Sequence, residues 1–339
     1  MKFDFVIGNP PYQEENKNNG CQDPVYDKFM DESFKISDCV ELITPARFLF
    51  DAGQTSTKWN QKMLSDEHFK VLEYYSDSSK VFSNTEIKGG VAISLRCSYK
   101  NFGPIGIFTE YEELNTILQK VLPSCNKNIS EIGVGGVPYK YATPLKEDLP
   151  NYIDFTGKSF DLRTNTLDKL AGIIYFEEKP LKPNYVAIYG LFNKKRASMW
   201  IDSKYLITPD NFKGFKVLLA KASGSGKFGE AMSNMIISEP FTGHTQSFVS
   251  IGNFETIEEA INLEKYIKTK FCRCMLSILK TTQDMTPSKW KYVPNQDFTS
   301  SSDIDWNNSI SNIDKQLYKK YNLSQDEIDF IENNVKEME

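Results

Sequence analysis

No apolar run in this chain approaches the ~20 residues that cross a bilayer as a helix. Basic residues are not in excess: 40 Lys and Arg face 45 Asp and Glu, a net charge of -5. Histidine occurs twice, at His68 and His244, and six cysteines are scattered over 339 residues. Each scarcity excludes something. Phe3 to Ile7 is too short for a secretory leader and is soon cut by Pro10 and Pro11. Dispersed cysteines do not make a disulfide framework, and Cys272-Arg273-Cys274 has no second Cys or His pair with which to hold zinc. Internal repeats and low-complexity tracts are also missing. The expectation is a soluble, cytoplasmic protein.

What is there is ordinary globular composition, 40% hydrophobic and 25% charged, in a length that predicts two domains. The charge is uneven. Between Lys179 and Glu230 lie ten basic residues, Lys194, Lys195, Arg196 and Lys227 among them, against the three acids Asp202, Asp210 and Glu230. Such a run reads either as solvated surface or as a local phosphate-contacting patch, since charges more than ~8–10 Å away are screened.

Along the first hundred residues strand and helix signals alternate. Phe3–Ile7, Val40–Thr44, Phe69–Tyr75 and Gly90–Leu95 read as strands, the first as a buried parallel one. Gln13–Gln22 reads as a mobile loop, and Asp23-Pro24 as the cap and first turn of a helix with Tyr26, Phe29, Met30 and Phe34 on its apolar face. This spacing predicts an open, mostly parallel α/β sheet. The pattern changes after Pro104. Glycines and prolines without periodicity fill 125–160, and mixed signals follow. Thr256-Ile-Glu-Glu259 is a capping box that opens a long helix through Leu279, and Ser324 to Glu327 opens another. The expected division is 1–110, a crossing over 111–155, and 156–339.

The chemistry sits in Asn9-Pro10-Pro11-Tyr12, directly after a strand. An exocyclic base amine is a poor nucleophile because its lone pair is delocalised into the ring. Two acceptors for its two hydrogens favour pyramidal nitrogen and free that lone pair, so they act on the transition state. The Asn9 side-chain oxygen and the Pro10 carbonyl are two such acceptors. Successive prolines fix φ and hold that carbonyl rigidly. Tyr12 offers a face for an extruded base. No shifted general base is required, so scarce histidine is no objection. The alternative is a rigid surface turn, but the carboxyl end of a strand is where open α/β sheets bind ligands.

Phe3-Asp4-Phe5-Val6-Ile7-Gly8-Asn9-Pro10-Pro11-Tyr12 resembles the catalytic motif of the adenine-specific (N6) DNA methyltransferases of restriction–modification systems. Glu41 to Phe48 is similar to that family's next strand and turn. Val81-Phe82 with Ile87-Lys88-Gly89-Gly90-Val91 resembles the segment whose aromatic packs the flipped adenine, which makes Phe82 the candidate. Tyr266–Phe271, Tyr292-Val293-Pro294 and Ile313–Tyr321 are similar to its recognition and C-terminal region. The resemblance implies a partial Rossmann-like methyltransferase sheet followed by a mixed α/β target-recognition domain with C-terminal helices. It implies S-adenosyl-L-methionine as cofactor, with Asn9 and Pro11 touching it. Its substrate would be double-stranded DNA, contacted by Lys194, Lys195, Arg196 and Lys227, with a cognate restriction endonuclease as a possible partner.

In that family the cofactor site is built mostly upstream of the motif, from a glycine-rich turn and an acid, whereas only two residues here precede Phe3. The expectation is therefore a separate cofactor-binding chain, a non-catalytic specificity subunit or a truncated remnant. A permuted cofactor loop at Lys221-Ala-Ser-Gly-Ser-Gly226-Lys-Phe-Gly229 is the lesser alternative, since the thirteen positions from Gly226 to Glu239 are tight for a βαβ unit of ~30 residues. A P-loop is excluded because Lys221 and Phe228 stand where glycine and Ser or Thr belong. That loop is expected to be mobile and near phosphates, His244 to be at the surface or on DNA, and Trp290 to stack on DNA or fill a domain seam.

Overall fold

The computed structural model describes residues 3–15, 22–50, 54–83, 87, 89–150 and 160–338. The chain divides into two units, Met1–Leu118 and Gln119–Glu339, and each has its own apolar core.

The first unit runs β1 (Phe3–Gly8), β2 (Gln13–Glu15), β3 (Gln22–Pro24), α1 (Tyr26–Ile36), β4 (Ser37–Pro45), α2 (Thr57–Leu64), β5 (Phe69–Tyr75) and β6 (Val91–Cys97). A further helix, α3 (Glu112–Val121), crosses the boundary. Its sheet has the order β1-β4-β6-β5. β1 pairs with β4 in parallel, and β6 is antiparallel to both its neighbours. Hence β1, β4 and β5 point one way and β6 lies between the last two in the opposite sense. The strands fall where the apolar runs predict them. The sheet is a mixed one, with a single parallel ladder among the described residues.

Strand alternation sends Val6, Val40, Leu42, Phe69 and Ala92 to one face, where they meet Met30, Phe48, Trp59 and Met63 from α1, α2 and the turn after β4. Each fully buried side chain of this size contributes about 1.5–3 kcal/mol. β1 departs from expectation. It is the edge strand, and Phe3, Phe5 and Ile7 are 50%, 61% and 74% exposed.

Two local differences have plain causes. Helix α1 starts at Tyr26 with no side-chain cap, because Pro24 is paired with Gln13 and the Val25 N–H donates to the Tyr12 carbonyl at 3.1 Å. Those two pairings keep the chain extended past the expected cap. Phe29 is left 43% exposed, while Tyr26 and Met30 are buried. The ends of the expected Gln13–Gln22 loop form the β2/β3 ladder; residues 16–21 lie outside the described residues. Cys39 and Cys97 face each other across β4 and β6 and are joined as a disulfide, a pairing their spacing did not reveal.

The second unit begins with β7 (Gly133–Val134), β8 (Lys140–Tyr141), α4 (Thr143–Asp148) and α5 (Thr166–Leu170). Then come β9 (Tyr185–Phe192), β10 (Lys195–Asp202), β11 (Leu206–Ile207), β12 (Phe215–Ala220), β13 (Ile236–Ser238), β14 (Thr242–His244) and β15 (Phe248–Phe254). Four helices close it: α6 (Ile257–Lys268), α7 (Lys270–Ser277), α8 (Ile310–Lys320) and α9 (Gln325–Asn334). Its main sheets have the orders β10-β9-β14 and β13-β12-β15-β7. The single helix expected through Leu279 is two. Thr269 leaves helical geometry at ψ 149° and caps α7 through its hydroxyl, and Asp314 accepts the Lys270 and Phe271 N–H groups at 3.0 and 2.9 Å.

The surface reading of His244 and the DNA-stacking alternative for Trp290 are also corrected, because both residues are fully buried. The Trp290 indole N–H donates to the Met285 carbonyl at 3.3 Å, so its ring is not free to stack on a base. His244 Nδ1 lies 3.0 Å from the Thr245 carbonyl, which can only accept, so Nδ1 carries the proton. Nε2 then accepts from the Ser250 hydroxyl at 2.9 Å. Burial, more than any neighbour, pushes the imidazole pKa down to about 4. A depressed histidine stabilises the fold above its unfolded pKa of about 6.5 and loses that contribution as pH falls toward the folded value. Relative to a His244→Asn variant, the protein is expected to lose about 2 kcal/mol of unfolding free energy between pH 7 and pH 5. Urea unfolding at the two pH values measures this, and equal losses in protein and variant would contradict it.

Candidate active site

β1 is short and apolar, and Gly8 ends it in register with Leu42 of β4. The chain then continues as Asn9-Pro10-Pro11-Tyr12 beside the last residues of β4. Asn9 and Pro11 are exposed, and Pro10 and Tyr12 are half-buried. The asparagine amide thus stands at the carboxyl end of a strand, on backbone restricted by the two following prolines.

Tyr12 is held from two sides. Its carbonyl takes the Val25 N–H, and its ring packs against the apolar core of the first unit. The hydroxyl is buried with no hydrogen-bond partner among the described residues. Burial pushes the phenol pKa up to about 12, so the group is neutral across the physiological range. Phe82 is reached through a short turn in which its N–H donates to the Ser78 carbonyl at 2.9 Å. The Tyr12 and Phe82 rings meet edge-on, with centroids 6.3 Å apart and planes inclined by 71°. The two aromatics singled out from the sequence are therefore neighbours. An edge-on pair has no slot between its faces, so seating a base between them requires one ring to turn.

Beyond Phe82, Gly89 and Gly90 adopt φ of +85° and +78°. Gly90 accepts the Ala46 N–H at 3.0 Å through its carbonyl, and a Cβ on it would strike the Tyr75 carbonyl oxygen. A Cβ on Gly89 would strike the stem of Arg47. This turn ties the Phe82 segment to the end of β4; Lys88 lies outside the described residues. Arg47 is exposed there. It is a cation beside the Gly89 turn to which sequence reasoning gave no role, although its position two residues after the strand-ending Thr44-Pro45 was the available signal.

The basic residues belong to the second unit. Lys194 lies in the turn of the β9/β10 hairpin with Asn193, at φ of 62° and 50°, and Lys195 and Arg196 follow it on β10. All three are exposed. Among the described residues β14 pairs only with Ala187–Tyr189 of β9, so the basic end extends past that strand. Arg196 donates to the Asn234 carbonyl at 2.9 Å, which brings the hairpin beside the segment that follows exposed Lys227. The basic surface is thinner than the sequence count implies. Lys204 pairs with Asp148 at 2.7 Å. Lys216 is fully buried and donates to the Gly214 carbonyl at 3.0 Å, with its pKa pushed down to about 8 by burial.

The glycine loop is filled from within. Gly224 and Gly226 take φ of +68° and +93°, and the Ser225 and Gly226 N–H groups point at one carboxylate, that of Glu230, at 2.8 and 2.7 Å. Burial works against ionising Glu230, but Lys280 and these N–H groups outweigh it and hold its pKa down at about 2. The nest that a cofactor or DNA phosphate would need already contains an anion, and the loop is a built structure where a mobile one was expected.

No helix among the described residues is long and apolar enough to cross a membrane, and no group of acidic, His or Cys residues among them is arranged to hold a metal. The orphan Tyr12 hydroxyl gives a test of the local packing. Tyr12→Phe removes a buried group that has no partner among these residues, so it is expected to leave stability unchanged or raise it by up to about 1 kcal/mol. Tyr12→Ala, which empties the contact with the core, is expected to lower it by about 1–3 kcal/mol. Chemical denaturation separates the two, and equal losses would mean that the hydroxyl is paired.

Parts of the chain are similar to known proteins. Over 95 residues it is 32% identical to a Mycoplasma pneumoniae protein named "Uncharacterized adenine-specific methylase", a match that takes in 27% of this chain and 22% of that relative. The chain therefore spans about a fifth of that relative's length. The solved structure of the type IIG restriction endonuclease BpuSI aligns with 95% of this chain and 50% of its own, at 9% identity and a TM-score of 0.30, too low a likeness to establish a common fold. Residues 1–82, from β1 through Asn9-Pro10-Pro11-Tyr12 to Phe82, match the family of the Eco57I restriction-modification methylases.

Proposed function

We propose that the chain is the catalytic and DNA-recognition part of a site-specific adenine N6-methyltransferase in a restriction–modification system. The observation that carries this reading is Asn9, exposed on proline-restricted backbone at the carboxyl end of a parallel strand, within a segment matched by the methylase family. The substrate would be double-stranded DNA with one adenine turned out of the stack. The Asn9 side-chain oxygen and the Pro10 carbonyl would each accept one hydrogen of the adenine amine, which makes the nitrogen pyramidal and nucleophilic. Tyr12 and Phe82 would hold the base once the Phe82 ring has turned. Arg47 beside the Gly89 turn, and Lys194, Lys195, Arg196 and Lys227 on the second unit, would contact phosphates. The second unit would serve target recognition.

S-adenosyl-L-methionine is the donor this chemistry implies, with Asn9 and Pro11 nearest to it. The residues described do not form its pocket by themselves. Among those of the first unit no glycine-rich turn joins a strand to a helix, and in the second unit the Gly224–Gly229 loop is closed on Glu230. Residues beyond those described would have to complete the donor site.

Asn9→Ala tests the reading in the cells from which the chain comes. Mapping N6-methyladenine across their DNA is expected to show at least one sequence context losing methylation about 100-fold or more, as for loss of one transition-state contact. Duplex-DNA affinity and its steep salt dependence should stay as they were. An unchanged methylation map would sink the assignment.

A further inference from the structure

The β9/β10 hairpin closes with a two-residue turn: Phe192 is paired with Lys195, and Asn193 and Lys194 between them stand at φ of 50° and 62°. Positive φ at both central positions is the geometry of a type I′ turn, whose usual second residue is glycine. Asparagine tolerates the left-handed region, whereas for lysine it carries a steric cost. The tip is nevertheless held still. The Asp168 carboxylate accepts the Asn193 N–H at 2.7 Å, and Leu191 and Phe192 pack on two different apolar clusters. Arg196 donates to the Asn234 carbonyl, with its guanidinium 5.8 Å from the centre of the Phe248 ring. On this rigid base the Asn193 side chain is exposed and has no hydrogen bond to the described residues, and Lys194 and Lys195 beside it are exposed too. Lysines on an edge strand can serve only to deter pairing, but Lys194 lies in the turn, off the ladder. A strained residue kept where glycine would be free of strain points to a contact made by its side chain.

We propose that this tip is a sequence-reading element of the second unit: it enters the major groove of duplex DNA, where the Asn193 carboxamide reads the edge of a stacked adenine and Lys194 and Lys195 hold the flanking phosphates. The inference rests on the DNA-recognition reading of the second unit and names the residue that discriminates. A two-stranded ribbon fits the major groove, which is about 12 Å wide. A carboxamide offers one acceptor and one donor side by side, which matches the amine and the ring nitrogen N7 of adenine. Guanine presents two acceptors there instead, so the same side chain tells the two purines apart. The lysines add charge that fixes the ribbon on the duplex and carries no sequence information. Asp168 is a contrary charge at the tip, but its carboxylate is engaged by the turn amide.

The test mixes the purified full chain with a pool of random-sequence DNA duplexes and sequences the bound fraction. The wild-type chain is expected to enrich a sequence containing an adenine that Asn193→Gly no longer selects. Preference at that position should fall about 10-fold or more while the other positions hold. Glycine suits the same turn, so this variant should keep the melting temperature of the wild type. Lys194→Gly should raise the melting temperature by about 2–4 °C through relief of strain. It should also weaken binding equally across sequences and lower the salt slope of binding by about 1. A merely structural tip would show the gain in stability without the loss in binding. No enrichment by the wild type, equal enrichment by Asn193→Gly, a loss spread evenly over all positions, or an unchanged salt slope in Lys194→Gly would each overturn the proposal. Asn9→Ala should enrich the same sequence as the wild type. Failure of the catalytic assignment therefore shows in the methylation map, and failure of this one in the duplex pool.

Discussion

The parallel ladder between β1 and β4 is the constraint on which the site depends. Five register pairs, from Phe3 with Ser37 to Gly8 with Leu42, fix where β1 ends, and therefore where Asn9 stands relative to Pro45 and Arg47. The prolines then remove most of the freedom of the chain as it leaves the sheet. Tyr12 is pinned next, by its ring in the core and by its carbonyl on Val25. A single strand thus positions two hydrogen-bond acceptors and one aromatic face without help from any titrating group. The lack of a histidine in the motif and the neutrality of Tyr12 are consistent with chemistry that works by orienting an amine.

Among the described residues the same ladder leaves the other flank of β1 unpaired. A sheet covered by helices on one face, with an apolar parallel strand at its edge, has satisfied only part of its backbone and its hydrophobic surface. The second unit contrasts with it. Many of its buried polar groups are paired internally: Tyr139 with Asn211, Asn211 and His244 with Ser250, and Glu230 with Lys280 and two loop amides. Where it carries exposed positive charge, at the tip of the β9/β10 hairpin, that charge faces solvent on a strand pair that outreaches its neighbour.

Much of this was legible in the sequence. The strands at Val40–Thr44 and Phe69–Tyr75 follow from stretches rich in apolar and β-forming residues, and the capping boxes at Thr256 and Ser324 form as their spacing requires. What was not legible depended on long-range partners. Phe3–Ile7 reads as buried because local pattern cannot tell an edge strand from a central one. The direction of β6 is set by its neighbours on both sides, which periodicity does not encode. His244 looks like a surface residue amid polar sequence and Trp290 reads equally as exposed or packed, but tertiary packing encloses both, His244 against Ser250 of β15 and Trp290 against the Met285 carbonyl. The stretch from Lys221 to Gly229 mimics an anion loop because the acid that fills it, Glu230, comes directly after it. The motif itself was legible as a segment, since its residues are adjacent in the sequence. The edge-on meeting of Tyr12 and Phe82 was not, since it depends on a turn far along the chain.

Calorimetric titration of S-adenosyl-L-methionine into the purified full chain is the most direct test of whether these residues hold a donor site of their own. No heat of binding is expected at cofactor concentrations up to about 1 mM, an affinity weaker than about 4 kcal/mol, because the described residues do not form the pocket by themselves. One-to-one binding at micromolar concentration by the chain alone would contradict this, and would mean that a donor site is built within these residues.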